Sequence, residues 1–111
     1  MAQFETKTTR VEPKRVVVSL IGELDLGAAD GLWSELEPLL ADARLIVLDG
    51  NELEFLDSSG VRILARAAHL ARQTGATLRL VTQNAAVLRT LELTGAEQLV
   101  ELFPTVDDAL A

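Results

Sequence analysis

Apolar positions along this chain change their period several times, and each change marks an element. From Phe4 to Glu12 the chain alternates, with Phe4, Thr6 and Thr8 on one face, and is rich in β-branched threonine. That is the pattern of a half-exposed strand. Glu12-Pro13-Lys14-Arg15 reads as a turn and Val16 to Ile21 as a second, more apolar strand, so the two predict an antiparallel hairpin. Gly22 to Gly27 breaks the pattern. Ala29, Leu32, Trp33, Leu36, Leu40 and Ala43 then recur at helical spacing, with Asp30, Ser34, Glu37 and Ala41 opposite. Pro38 removes the hydrogen bond to the Ser34 carbonyl, but it falls among the exposed positions, where a bend convex toward water is tolerated.

Leu45-Ile46-Val47-Leu48 is apolar on both faces, as a central parallel strand covered on both sides should be. The short run Leu53-Glu54-Phe55-Leu56 follows. Val61 to Gln73 is helical, with a polar stripe at Arg62, Arg66, His69 and Gln73 and a buried stripe at Leu64, Ala67, Ala68 and Ala71; Gly75 sits where helices end. Thr77 to Val81 is the next strand, Asn84 caps a short helix through Leu93, and Thr94-Gly95 closes it. Gln98 to Leu102 is a last short strand, and Thr105-Val106-Asp107-Asp108 resembles a capping box before a terminal helix. The alternation predicts one α/β domain over 1–111: a mixed sheet of four to five strands with an antiparallel N-terminal hairpin and about four helices. Strand-to-helix loops in such a sheet leave from one edge, so Asp25, Asp57, Ser58, Ser59, Thr82 and Asn84 are expected on one surface.

The candidate chemistry lies at Asp57-Ser58-Ser59-Gly60, where the chain leaves a strand and enters a helix. Asp and Ser are preferred N-cap residues, so one of them is expected to cap the helix, contributing about 1 kcal/mol. The other reading leaves a hydroxyl free to accept a phosphoryl group, which brings about −1.5 to −2 charges to a position where the fold tolerates an anion. A serine nucleophile would need a base, and His69, the only histidine, lies on the exposed stripe nearly three turns along. Asp25 and Asp57 together would be a thin magnesium site.

Composition narrows the partners. The formal charge of −7 disfavours nucleic acid or an anionic membrane and suits a protein with a basic patch. With no cysteine there is no disulfide framework or thiolate metal site. No apolar run reaches the ~18 residues of a spanning helix, and the opening Met1-Ala2-Gln3-Phe4 lacks the layout of a signal peptide. The expectation is a soluble cytoplasmic protein without a cofactor. The chain also lacks a phosphate-cradling glycine loop of the nucleotide-hydrolase type.

Three segments, Gly22-Glu23-Leu24-Asp25, Leu45-Ile46-Val47-Leu48-Asp49 and Phe55-Leu56-Asp57-Ser58-Ser59-Gly60-Val61, together resemble the STAS domain of bacterial anti-sigma-factor antagonists. The resemblance spans nearly the whole chain. It implies a STAS-like fold and partner switching: binding to an anti-sigma factor that is also a serine protein kinase, release of the sigma factor, phosphorylation on the position of Ser58, and restoration by a phosphatase. It places Asp25 and Asp57 at acidic positions flanking the phosphorylated serine, and Ser59 and Gly60 at the start of the following helix, with Ser59 expected as the cap or a structural hydroxyl. With Arg62, these are the expected partner-binding residues. Val61-Arg62-Ile63 departs from the small pairing usual after that glycine and sets a bulky Arg62 near the docking surface. The same fold also serves as a scaffold subunit in lipid-transport or stress-sensing complexes, which is the alternative reading.

Overall fold

A computed structural model describes residues 3–111. Met1 and Ala2, the first residues of the opening compared above with a signal peptide, lie outside the described residues. Five strands, β1 (Phe4–Glu12), β2 (Arg15–Leu24), β3 (Leu45–Leu56), β4 (Thr77–Val81) and β5 (Glu101–Phe103), lie side by side in chain order. The first pair is antiparallel and the other three are parallel. The helices are α1 (Leu26–Asp42), α2 (Ser58–Thr74), α3 (Ala85–Thr94) and α4 (Val106–Leu110). This is the expected mixed α/β sheet with its N-terminal hairpin.

Alternation along the strands divides the core. Val16, Val18, Leu20, Ile46, Leu48, Leu78 and Leu80 meet the apolar stripes of α1, α2 and α3 on one face. Val17, Leu45, Val47 and Val81 point the other way and are covered by Ala109 of α4 with Phe103, Val106 and Leu110. The central strand is therefore buried on both faces, as its unbroken apolar run predicts. The short α4 is held at both ends. Thr105 accepts from the Asp108 amide at its start, while Arg79 Nη1 donates to the Ala109 carbonyl at 2.7 Å and Arg15 donates to that of Leu110.

Two strands run further than the apolar pattern indicates. β2 continues through Gly22 to Leu24, and β3 continues through Gly50 to Leu56, so the apolar run 45–48 and the short run 53–56 belong to one strand. Both continuations are irregular, with register shifts between Ser19 and Ile21 and between Gly22 and Glu23. Gly22 has φ +99°, and a Cβ there would run into the Gln3 carbonyl, so glycine lets the strand kink without breaking its pairing. The chain after α3 also differs from expectation. Gly95 ends the helix in the left-handed region, Ala96–Gln98 forms a tight 3₁₀ turn, and the last strand starts only at Glu101.

The extension of β3 separates loops that the topology groups together. β4 pairs with β3 only as far as Asp49↔Val81, and β3 then runs on to Leu56 beside β2. Asp25 and Asp57 leave neighbouring strand ends, Leu24 and Leu56, whereas Thr82 and Asn84 start from the level of Asp49. Thr82 is buried, and Asn84 accepts from Ala86 and Val87 as the cap of α3.

Candidate functional site

Two helices start side by side from the paired ends of β2 and β3, and each is capped by an aspartate in extended conformation. Asp25 Oδ1 accepts from the Ala28 amide at 3.2 Å, and Asp57 Oδ1 accepts from Ser59 and Gly60 at 2.9 and 3.1 Å. These bonds satisfy amides that a helix start otherwise leaves without partners. The Asp57 amide in turn donates to the Leu24 carbonyl at 3.3 Å, tying the two starts together. The cap of α2 is thus Asp57 and not the expected Ser59, whose own amide is one of the two that Asp57 satisfies. Helix α2 begins at Ser58, three residues before the apolar period becomes visible at Val61.

The first residue of each helix faces outward. In α2 it is Ser58, which is exposed; in α1 it is Leu26, 74% exposed. Ser59 is half-buried and Gly60 is buried. The packing accounts for Gly60: a Cβ there would lie 2.5 Å from Leu56 Cδ1 and 2.9 Å from both Leu24 Cγ and the Leu24 carbonyl oxygen. Gly60 lets the first turn of α2 settle onto the strand ends. It is itself buried, in close contact with Leu24 and Leu56.

Further along α2, Arg62 and Arg66 are exposed, as the polar stripe predicts. The Arg66 guanidinium lies 4.1 Å from the ring centroid of the half-buried Trp33, a cation–π contact that joins α2 to α1. On the other side of Asp25, between β1 and α1, an open groove of about 530 Å³ is lined by Phe4, Thr6, Glu23, Asp25, Gly31 and Glu35 among others. The Glu35 carboxylate accepts from Thr6 and, at 3.2 Å, from Thr8. Three carboxylates make this groove suited to a basic side chain.

Of the sequence-derived candidates, the structure brings Asp25, Asp57, Ser58, Ser59 and Gly60 to one place, with Arg62 one turn away. Sequence reading passed over Leu26. Periodicity alone gave no signal for it: Leu26 lies three residues before Ala29 and seven before Trp33, in phase with the apolar stripe of α1, and only its place at the helix start, ahead of the packed turns, leaves it exposed. The two aspartates, read above as a thin magnesium site, each commit an oxygen to a backbone cap. His69 is exposed on α2, two turns beyond Arg62. No helix among the described residues is long and apolar enough to cross a membrane.

The STAS domain family matches residues 6–109, and the chain belongs to that family. Among its relatives is the anti-sigma-F factor antagonist RsfA of Mycobacterium tuberculosis, 30% identical over 100 residues that cover 86% of this chain and 77% of that protein. The crystal structure of an anti-sigma factor antagonist from Mycobacterium paratuberculosis superimposes with a TM-score of 0.87 at 31% identity, covering 97% of this chain and 92% of that one. The antagonist SpoIIAA in its unphosphorylated form shares the fold, with a TM-score of 0.82 at 20% identity over 96% of this chain and 93% of that one.

Proposed function

We propose that this STAS domain is an anti-sigma-factor antagonist: it binds an anti-sigma factor that is also a serine kinase, frees the sigma factor, and is switched off by phosphorylation on Ser58. The observation that carries this reading is the division of labour at the start of α2. Asp57 caps the helix and Gly60 seats it, so Ser58 has no structural task and its hydroxyl faces outward at the first helical position. Names given to the relatives supply the partner class, and the acidic groove next to Asp25 suits a basic segment of that partner.

The mechanism is a change of binding with the fold kept. The kinase supplies the chemistry: Ser58 Oγ attacks the γ-phosphorus of ATP, its proton passes to a base on the kinase, and ADP leaves. The chain is the substrate of that step and carries out no catalysis. A phosphoryl group on Ser58 then places a dianion beside Asp57, in the surface shared with the exposed Leu26. A partner covering that surface would bury negative charge that it does not neutralise, which costs about 2–5 kcal/mol. A phosphatase returns the domain to its binding form.

Incubating the protein with its cognate anti-sigma factor and ATP, followed by mass spectrometry of the Ser58 peptide, tests the assignment. Phosphate on Ser58, and none on a Ser58→Ala chain that still binds, is the expected result. Equal phosphorylation of the Ser58→Ala chain would move the acceptor elsewhere.

A further inference from the structure

We propose that Arg62 is a built-in counter-ion for phosphorylated Ser58, so that modification also withdraws a positive charge from the docking surface. This rests on Ser58 as the phospho-acceptor. Ser58 and Arg62 are four residues apart on α2, both exposed, and therefore neighbours on one helix face. Side chains on a helix lean toward its N-terminus, which directs Arg62 back over the first turn.

The surroundings give that pairing little competition. Helix starts usually meet an anion with open amides, but here the Ser59 and Gly60 amides are already bonded to Asp57 Oδ1. The Asp57 carboxylate adds a like charge beside the phosphate. Arg66, one further turn away, is engaged on the Trp33 ring. The ion pairs found among the described residues use Lys14, Arg15 and Arg79, and leave Arg62 out. A guanidinium can bind two phosphate oxygens at once, which an ammonium on the same stem does less well.

Two consequences follow for the switch. Unmodified, the surface around Ser58 offers a neutral hydroxyl, the exposed Leu26 and a cation. Modified, it offers a dianion with the cation folded onto it. A partner that uses Arg62 loses that contact in the same event that introduces the phosphate.

The test uses the full chain with phosphoserine installed at position 58 during synthesis, so that no kinase is needed. Its second ionisation, ordinarily near pH 6, is followed by phosphorus NMR at low salt. A neighbouring cation favours the dianion and lowers this value. The expected result is a value a few tenths of a unit lower in the parent chain than in Arg62→Gln, the size an exposed ion pair between helix neighbours gives. Arg62→Lys should retain most of the lowering, and Arg66→Gln should leave it in place. Identical titrations of the parent and Arg62→Gln chains would overturn the proposal, as would an equal shift from Arg66→Gln. If the kinase never modifies Ser58, the proposed function fails while this titration still decides the role of Arg62. If the titrations coincide, Ser58 stands as the acceptor and only Arg62 loses its part.

Discussion

Asp57 closes the first turn of α2 with one carboxylate oxygen shared between two amides. Replacing it by alanine leaves both amides without that acceptor, and Asp57→Ala should lower stability by about 0.5–2 kcal/mol in urea denaturation. Gly60→Ala is expected to cost about 1–3 kcal/mol, since its Cβ would press on the Leu24 backbone, which cannot move aside like a flexible side chain. Ser58→Ala, by contrast, removes an exposed hydroxyl from a good helix position and should change stability by less than about 0.5 kcal/mol. This ordering separates residues that build the switch from the residue that is switched. A Ser58→Ala loss as large as that of Asp57→Ala would mean that the serine also carries structure.

At the scale of elements, α1 and α2 set the site because they start together and stay together. Thr74 at the end of α2 donates to the Leu40 carbonyl of α1 at 2.9 Å, and Arg66 on Trp33 ties their middles. Pro38 sits exposed inside α1 without breaking it, and it removes a donor that alanine would restore. Pro38→Ala should therefore raise stability by about 1–2 kcal/mol, less than the full helix penalty because the unfolded chain also gains freedom; a higher midpoint in thermal unfolding is the readout. Such elements were legible in sequence wherever their chemistry is local. Asn84, Gly75, Gly95 and Thr105 all take the end positions that their side chains or left-handed backbone suit. The continuation of β3 past Gly50 was not legible, because it depends on irregular pairing with Ile21 and Gly22 far away in the chain. The separation of Thr82 and Asn84 from Asp57 follows from that same extension. The cap of α2 was misplaced in sequence: Ser59 was the expected cap, but Asp57, Ser58 and Ser59 are all good caps and only the extended backbone of Asp57 distinguishes it.

On the scale of the whole molecule, the account requires a surface that changes while the fold does not. A sheet buried on both faces, and α2 seated on Leu24 and Leu56, leave little freedom for rearrangement. Amide NMR spectra of the unmodified and Ser58-phosphorylated chains should therefore differ mainly at the starts of α1 and α2 and around Arg62. Shifts spread across β4, β5 and α4 would point to a different mechanism. The most direct measurement is the affinity of the cognate anti-sigma factor for the two forms, with phosphoserine installed at position 58 so that modification is complete. The prediction is tight binding of the unmodified chain and a loss of about 30-fold or more on phosphorylation, the equivalent of 2 kcal/mol or above. Equal affinity for the two forms would contradict the account at its centre.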